Sequence, residues 1–108
     1  MVRRLWVDVD DTLVLWSKDK GYANEALVYS IQHYIAELGW QLVIWSGSGV
    51  AMASYWADKL FPSIYTLTTE KDETLPDEDD LCVDDMKLKV RARLTTWGEF
   101  VTMVESWT

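Results

Sequence analysis

The stretch LWVDVDDTLV, residues 5–14, places three carboxylates directly after an apolar run. The run leads into Asp8, Asp10 and Asp11, and the chain turns apolar again at Leu13. We interpret residues 3–9 as a buried strand. Because like charges grouped at a buried strand end repel one another, they are stable only where a cation or a proton is shared among them. The stretch therefore predicts a site at this strand end.

The rest of the chain alternates between apolar runs and amphipathic segments. We expect Asn24 to cap the first helix and Gly39 to end it. Alternation of this kind is typical of a parallel sheet covered by helices, so we predict an α/β fold: a three-layer Rossmann-like parallel sheet of about five strands with helices on both faces, in one domain over residues 1–108. Further strands are expected over residues 40–45, 64–68, 81–84 and 86–94, and helices over residues 24–38, 49–60 and from Thr96 to about Trp107.

Residues 86–94 alternate strictly between apolar and basic side chains. Period two predicts a strand with one solvated face. We interpret the basic face as protection of a sheet edge, with an anion-binding surface as the alternative. The capping box Thr96-Trp97-Gly98-Glu99 follows directly and predicts the start of the last helix.

Charge and composition limit the classes of protein to consider. Residues 70–80 hold seven acids and one lysine and so account for −6 of the net charge of −8. We interpret residues 77–80 as a solvated loop, and the remaining surface does not exclude an anionic partner. The single Cys82 excludes an internal disulfide, and no Cys/His cluster indicates zinc. No apolar run reaches the roughly 20 residues of a membrane span, so we expect a cytoplasmic protein without a membrane partner.

Polar residues end three of the predicted strands. Because the carboxyl ends of parallel neighbours meet at one edge of a sheet, we expect these residues to form one ligand site. The carboxylates, with no Cys or His beside them, favour Mg²⁺. Calcium in an EF-hand loop does not fit, since Leu13 and Asp19 occupy the positions of the required Gly and Glu. The strand-end residues are Asp8 and Asp10, then Ser46-Gly47, then Asp84-Asp85.

The turn Ser46-Gly47-Ser48-Gly49 leads from the second of these strands into a predicted helix. Backbone N–H groups at such a helix start, together with a hydroxyl, can hold phosphate oxygens. A plain turn or capping role for Ser46 is the alternative. The residues alone thus predict a site for Mg²⁺ and a phosphate group in an open α/β sheet.

Four segments, in chain order, resemble the motifs of the haloacid dehalogenase (HAD) superfamily. VDVDDTLV is similar to the first motif, a strand followed by DxDx[T/V], and LVIWSG is similar to the second. Lys71 in TTEKDE stands in the place of the third-motif lysine, and LCVDD resembles the acidic pair of the fourth. The resemblance covers about residues 4–85 by motif.

The resemblance implies a Mg²⁺-dependent phosphatase that acts on a phosphomonoester through an aspartyl-phosphate. Asp8 would be the nucleophile and Asp10 the acid and base. The lysine would be Lys71, with Lys87 as its rival. Phosphate binding is assigned to Thr12, Ser46, Gly47 and Lys71, and metal binding to Asp8, Asp10 through its carbonyl, Asp84 and Asp85.

Three questions stay open within this resemblance. Either Asp84 or Asp85 would be the direct metal ligand, with Asp85 preferred. Asp11 stands where the family more often has Gly, so its role is in shaping the turn or in orienting a neighbour. The segment LWSKDKGY, residues 15–22, would meet a base or a second phosphate through Trp16, Lys18, Lys20 and Tyr22, or is an ordinary solvated turn.

The two places where relatives insert a cap domain are short here, so the resemblance implies a protein without a cap. Open sites of this kind accept large substrates, such as phosphorylated protein or nucleic-acid ends, or are covered by an oligomer. The substrate is therefore either a small molecule or a macromolecular phosphate end. A HAD-like module that binds a phosphate ligand or a protein with little turnover is the alternative function. Phosphotransfer to an acceptor other than water is a further one.

Overall fold

Residues 2–107, the part of the chain that the computed structural model describes, form seven strands and three helices with their connections. They confirm an α/β fold. In chain order they are β1 (Arg4–Asp8), β2 (Val14–Ser17), β3 (Lys20–Ala23), α1 (Glu25–Leu38), β4 (Gln41–Ser46), α2 (Val50–Leu60), β5 (Thr66–Glu70), β6 (Leu81–Val83), β7 (Arg93–Thr95) and α3 (Trp97–Glu105).

Five of the strands form one parallel sheet in the order β5-β4-β1-β6-β7, which confirms the predicted sheet. The chain moves from β1 outward to β4 and β5, then returns past β1 to β6 and β7. The direction of winding therefore reverses between β1 and β6. Open parallel sheets bind ligands at the carboxyl ends of the strands that flank such a reversal.

The helix ends follow the sequence signals. The Asn24 side chain accepts a hydrogen bond from the Leu27 N–H, and Gly39 ends α1 in the left-handed region with φ of 68°. Thr96 and Glu99 form the predicted capping box at the start of α3. None of the helices described over residues 2–107 is long and apolar enough to cross a bilayer.

One face of the sheet carries the main core. Alternate strand residues such as Leu5, Val7 and Ile44 point to this face and are fully buried. All three helices described in residues 2–107 bury their side chains in the same cluster, so each of them packs on this face. The helical members are Leu27, Ile31, Tyr34, Ala53, Trp56, Ala57, Phe100, Val101 and Val104.

The opposite face is covered by an irregular segment instead of a helix. Trp6, Val43, Trp45 and Cys82 form a second cluster there, and it packs against Leu88, Val90 and Ala92. Helices were expected on both faces, but the described residues place none on this second face. Right-handed crossovers from β5 to β6 and from β6 to β7 fall on this second face, and neither connection contains a helix among the described residues.

The predicted strand over residues 86–94 is wrong apart from its end. Only Arg93–Thr95 pairs with β6, in the edge position. The alternation is real, but it has another cause: Leu88, Val90 and Ala92 point into the second core cluster while Lys87 and Lys89 face solvent. An extended segment that lies over a sheet produces the same period of two as a strand within it.

A short hairpin, β2 and β3, follows the opening stretch. Ser17 pairs with Lys20, which leaves Lys18 and Asp19 as a two-residue loop. Both loop residues have positive φ, 47° and 65°, as a type I′ turn requires. The sequence analysis did not predict these strands because Lys-Asp lacks the Asn-Gly or Asp-Gly signature of such turns.

Asp80 corrects the interpretation of residues 77–80 as a solvated loop. Its side chain is buried. One carboxylate oxygen accepts from the Arg4 N–H at 2.9 Å, and the other accepts from Trp6 Nε1 at 3.0 Å and from the Asp77 N–H at 2.9 Å. Asp80 thereby ties the amino end of β6 to the start of β1.

Candidate functional site

Four neighbouring strands bring the site residues to one edge of the sheet. Asp8 is the last residue of β1 and Ser46 the last of β4. Lys71 directly follows β5, and Asp84 directly follows β6. Since β5, β4, β1 and β6 are adjacent and parallel, their carboxyl ends meet, as the sequence predicted.

Lys71 joins two of the carboxylates. Its Nζ lies 3.1 Å from Asp8 Oδ1 and 2.6 Å from Asp84 Oδ2. The ammonium also lies 5.8 Å from the ring centroid of Trp45, which is fully buried under the site. The rival Lys87 is exposed and lies outside this group of contacts. The geometry therefore brings Lys71, and not Lys87, against the predicted nucleophile.

Three carboxylates form a compact oxygen cluster. Asp8, Asp84 and Asp85 each offer one oxygen, and these atoms all lie within 4.8 Å of one another. Asp84 is buried with its Oδ1 accepting from the Met86 N–H at 2.9 Å, whereas Asp85 is exposed at the mouth. This donor set suits a hard divalent cation. The side chain of Asp10 is not part of the cluster.

Burial, and after it the negative charge of Asp84, raise the pKa of Asp8 to about 7 against the opposing charge and hydrogen bond of Lys71. Asp8 is 5% exposed, so water stabilises the ionised form of its carboxyl group poorly. A further positive charge beside Asp8 would therefore favour its ionised form at neutral pH.

The neighbouring groups respond to the same crowding. Burial lowers the pKa of Lys71, but the hydrogen bond that Lys71 donates to Asp84 and the charge of Asp8 outweigh burial, and the net shift is upward. Burial also raises the pKa of Asp85, and contact with the Asp84 carboxyl raises it further. Lys71 thus stays charged, and the negative charge in the cluster is only partly balanced.

Asp10 is held by two donors whose contact with it the sequence analysis did not predict. Trp16 on β2 donates its indole N–H to Asp10 Oδ1 at 2.9 Å, and the Ser48 hydroxyl donates to Asp10 Oδ2 at 3.4 Å. Ser48 was in the quoted turn, so its position was visible, but its partner was not. Trp16 reaches Asp10 only because the unpredicted hairpin folds back.

Gly21 explains how the indole of Trp16 fits in the hairpin. It pairs with Trp16 across the two strands. A Cβ at Gly21 would lie 2.9 Å from Val14 Cγ1 and 3.2 Å from the Trp16 ring, so a side chain there would collide with both. The absence of a Cβ leaves room for the indole to lie across the hairpin.

The predicted phosphate-binding residues take different positions. Thr12 is fully buried, and its hydroxyl donates to Asp8 Oδ2 at 3.3 Å. Ser46 is also fully buried, and its Oγ accepts from the Ser48 N–H at 3.0 Å, a turn contact that the sequence analysis considered as the alternative. Gly47 is exposed at the mouth of the site.

Asp11 has a backbone role. Its φ is 60°, in the left-handed region, and its N–H donates to the Val14 carbonyl at 2.8 Å. Asp tolerates this conformation better than most residues, and Gly better still. The turn geometry thus explains why a Gly is common at this position in the motif that the chain resembles.

An open cavity of about 220 Å³ lies over these groups. It exposes the nucleophile candidate, the lysine and the turn after β4 to the same volume. Its lining residues are Asp8, Asp10, Asp11, Gly47, Ser48, Lys71, Asp85 and Met86.

Comparison with known sequences assigns no role to these residues, since no protein-family model and no curated protein matches the chain. Their roles follow from their chemistry. A carboxylate cluster can hold a divalent cation, and Lys71 can stabilise negative charge that develops beside Asp8. Asp10 is a fourth carboxylate at the rim, held in one orientation by Trp16 and Ser48.

Proposed function

We propose that the protein is a Mg²⁺-dependent phosphohydrolase of the HAD type that acts on a phosphomonoester through an aspartyl-phosphate at Asp8. The contact of Lys71 with both Asp8 and Asp84 carries the proposal. It unites the residues of three separately recognised motifs in one ion-pair network. A structural ion pair alone would not need Asp85 beside it or Asp10 oriented at the rim.

The proposal includes the architecture. We infer a reduced three-layer Rossmann-like domain in which the segment over residues 84–92 takes the place of helices on one face. The proposal of a domain without a cap rests on its two connections. Residues 9–24 contain only the hairpin, and residues 71–80 contain no helix or strand.

Asp8 and Asp85 would hold Mg²⁺ directly, with the Asp10 carbonyl, while Asp84 would orient Lys71. The fit is supported by the three carboxylate oxygens within 4.8 Å and by the raised pKa of Asp8. The ion would supply positive charge that keeps Asp8 ionised and offsets the charge of the phosphate.

In the first step, a carboxylate oxygen of Asp8 attacks phosphorus, and the bond from phosphorus to the leaving oxygen breaks. Asp10 gives its proton to that oxygen, which leaves as an alcohol. Lys71 stabilises the negative charge on the transferred group, because its ammonium already lies 3.1 Å from Asp8. The product of this step is a phosphorylated Asp8.

In the second step, water attacks the phosphorus of the aspartyl-phosphate and Asp10 accepts its proton. The bond between Asp8 and phosphorus breaks, and inorganic phosphate leaves. Trp16 and Ser48 fix the Asp10 carboxylate at the rim, where both a leaving alcohol and an entering water can reach it. Thr12 steadies the free oxygen of Asp8.

Steady-state hydrolysis of para-nitrophenyl phosphate, with and without added Mg²⁺, tests this function. We expect Mg²⁺-dependent turnover by the wild type. Asp8→Asn should abolish it, and Asp10→Asn should lower it by about 100-fold or more, as the loss of a general acid and base does. Asp79→Asn is the control, since Asp79 is exposed beside Asp80 at the opposite edge of the sheet.

Two outcomes would count against the proposal. If the wild type turns over no faster than Asp8→Asn with any divalent cation, the protein is not a phosphatase for this class of ester. If it binds phosphate in calorimetry without turnover, the binding module is the better account. A screen of sugar phosphates, nucleotides, phosphopeptides and nucleic-acid ends then follows.

A further inference from the structure

An aromatic groove continues from the proposed phosphate site. It has a volume of about 490 Å³ and opens to solvent beside the hairpin. Ser48 lines both this groove and the cavity over Asp8. The lining residues are Trp16, Ser48, Ala51, Met52, Tyr55 and Trp56.

The groove lies on the side of the site where a leaving group has to extend. Asp10 would protonate the leaving oxygen, so the alcohol begins next to the Asp10 carboxylate. The two donors that hold this carboxylate are Trp16 and Ser48, and both of them line the groove. An alcohol that starts at Asp10 therefore continues along the groove wall.

The lining of the groove favours a flat apolar group. The side chain of Trp16 is 43% exposed and that of Tyr55 is 57% exposed, while Trp56 is buried as the floor. Lys59 lies over the rings of Tyr55 and Trp56, at 5.7 Å and 5.3 Å from their centroids. Exposed aromatic faces bind planar rings by stacking, as they do with the bases of single-stranded nucleic acids.

We propose that this groove binds a planar aromatic ring on the alcohol part of the substrate. This proposal rests on the proposed function at Asp8. The substrate class is a phosphomonoester whose phosphate lies at Asp8 and whose ring stacks between Trp16 and Tyr55. The ring raises affinity and positions the leaving oxygen at Asp10. The groove thus sets specificity, as a cap domain would otherwise do.

A pair of matched esters tests the proposal. Phenylethyl phosphate and cyclohexylethyl phosphate have alcohols of similar size and basicity but differ in ring planarity. We expect kcat/KM to be about tenfold higher for the phenyl ester, mainly through KM. Equal kcat/KM values for the two esters would overturn the proposal.

Variants of Tyr55 locate the effect. Tyr55→Ala should remove most of the preference for the phenyl ester, and Tyr55→Phe should keep it. Tyr29→Ala is the matched control, since Tyr29 is an exposed tyrosine on α1, outside the groove lining. Loss of the preference in the control, or its persistence in Tyr55→Ala, would contradict the assignment.

Two further measurements separate this proposal from others. If para-nitrophenyl phosphate is not hydrolysed either, the proposed function fails, and calorimetric binding of the two esters to the wild type then decides the groove alone. Tighter binding of the phenyl ester that depends on Tyr55 supports the groove, and equal or absent binding overturns it. If Tyr55→Ala instead converts an oligomer into a monomer in size-exclusion chromatography, a second copy covers the groove and the proposal is wrong.

Discussion

Asp8 is a residue of the site whose ionised form the fold destabilises, through burial and a neighbouring negative charge. Burial and the charge of Asp84 raise its pKa to about 7 from an ordinary value of 3.8. In the absence of a cation, the folded state therefore favours protonated Asp8 more than the unfolded state does. This contribution to stability is present below about pH 4 and is lost as the pH rises through about 7.

Asp8→Asn should accordingly stabilise the metal-free protein at neutral pH. We expect its free energy of unfolding to exceed that of the wild type by on the order of 2 kcal/mol near pH 8, and by much less near pH 4. Urea denaturation of both proteins in the presence of a chelator measures this difference. A difference that is independent of pH would show that burial of Asp8 is not costly, and added Mg²⁺ should reduce the gap by stabilising the wild type.

Another single-residue effect comes from Trp16, whose indole N–H holds the Asp10 carboxylate in one orientation. Trp16→Phe keeps a ring on the hairpin but removes the donor to Asp10. We expect the rate of phosphoryl transfer from alkyl phosphates to fall about tenfold in single-turnover measurements, because their leaving oxygens need the acid, while that from para-nitrophenyl phosphate changes little. Trp107→Phe is the control, since Trp107 is exposed to a similar extent. An equal loss for both leaving groups would indicate a general structural defect instead.

At the scale of elements, the hairpin has a turn whose residues are poorly suited to its backbone conformation. Lys18 and Asp19 both adopt positive φ in a two-residue turn, where Asn and Gly are much better suited. The double substitution Lys18→Asn with Asp19→Gly should raise the free energy of unfolding by about 0.5–1 kcal/mol.

Chemical denaturation with matched hairpin variants checks this expectation. Lys18→Ala with Asp19→Ala should have the opposite effect, because Ala carries a Cβ without the local hydrogen bonding that helps Asp in this region. Catalysis should respond only weakly to the Asn-Gly change, since Trp16 keeps its place opposite Gly21. If the Asn-Gly variant is less stable than the wild type, the turn is not type I′ in solution.

The elements that were predicted correctly share a local physical cause. Asn24, Gly39 and the Thr96–Glu99 box fix helix ends through nearby backbone groups, and a sequence pattern records such contacts directly. The ends of β1, β4 and β6 were also predictable because an apolar run stops at a polar residue. The strand over residues 86–94 failed because period two does not distinguish a strand from a segment that covers a sheet.

The residues of the site also fall into those that the sequence predicted and those that it did not. Its acids and Lys71 were predicted from their motifs, and the structure brings Asp8, Lys71, Asp84 and Asp85 together. Trp16 was not predicted as a partner of Asp10, because their contact depends on a hairpin with an unusual turn. Asp80 was misread because its partners, Arg4 and Trp6, are about 75 residues away along the chain.

On the scale of the whole molecule, the sheet carries different residues at the carboxyl ends and at the amino ends of its strands. The carboxyl edge carries the ion-pair network, and the amino edge is fastened by Asp80, which accepts three hydrogen bonds. Asp80→Asn replaces an accepting oxygen with a donor and should cost on the order of 2 kcal/mol. For a domain of this size the midpoint of thermal unfolding would fall by about 10 °C.

Thermal unfolding followed by circular dichroism measures that loss, with Asp79→Asn as the exposed neighbour for control. Below its unfolding transition, Asp80→Asn should keep the kcat of the wild type, because the side-chain hydrogen bonds described for Asp80 go to Arg4, Trp6 and Asp77 and not to a residue of the site. An unchanged midpoint would mean that the amino edge does not depend on Asp80. A lost activity in the folded variant would mean that the two edges are coupled.

The most direct test of the account is to identify the phosphorylated residue. Asp10→Asn should still transfer the phosphoryl group from para-nitrophenyl phosphate, whose leaving group needs no acid, but should hydrolyse the intermediate slowly. Mass spectrometry of the acid-quenched protein in Mg²⁺ should then find one phosphoryl group on the peptide that contains Asp8, and none in a variant that also carries Asp8→Asn. A phosphoryl group on another residue, or steady turnover by the wild type with Asp8 replaced, would contradict the account.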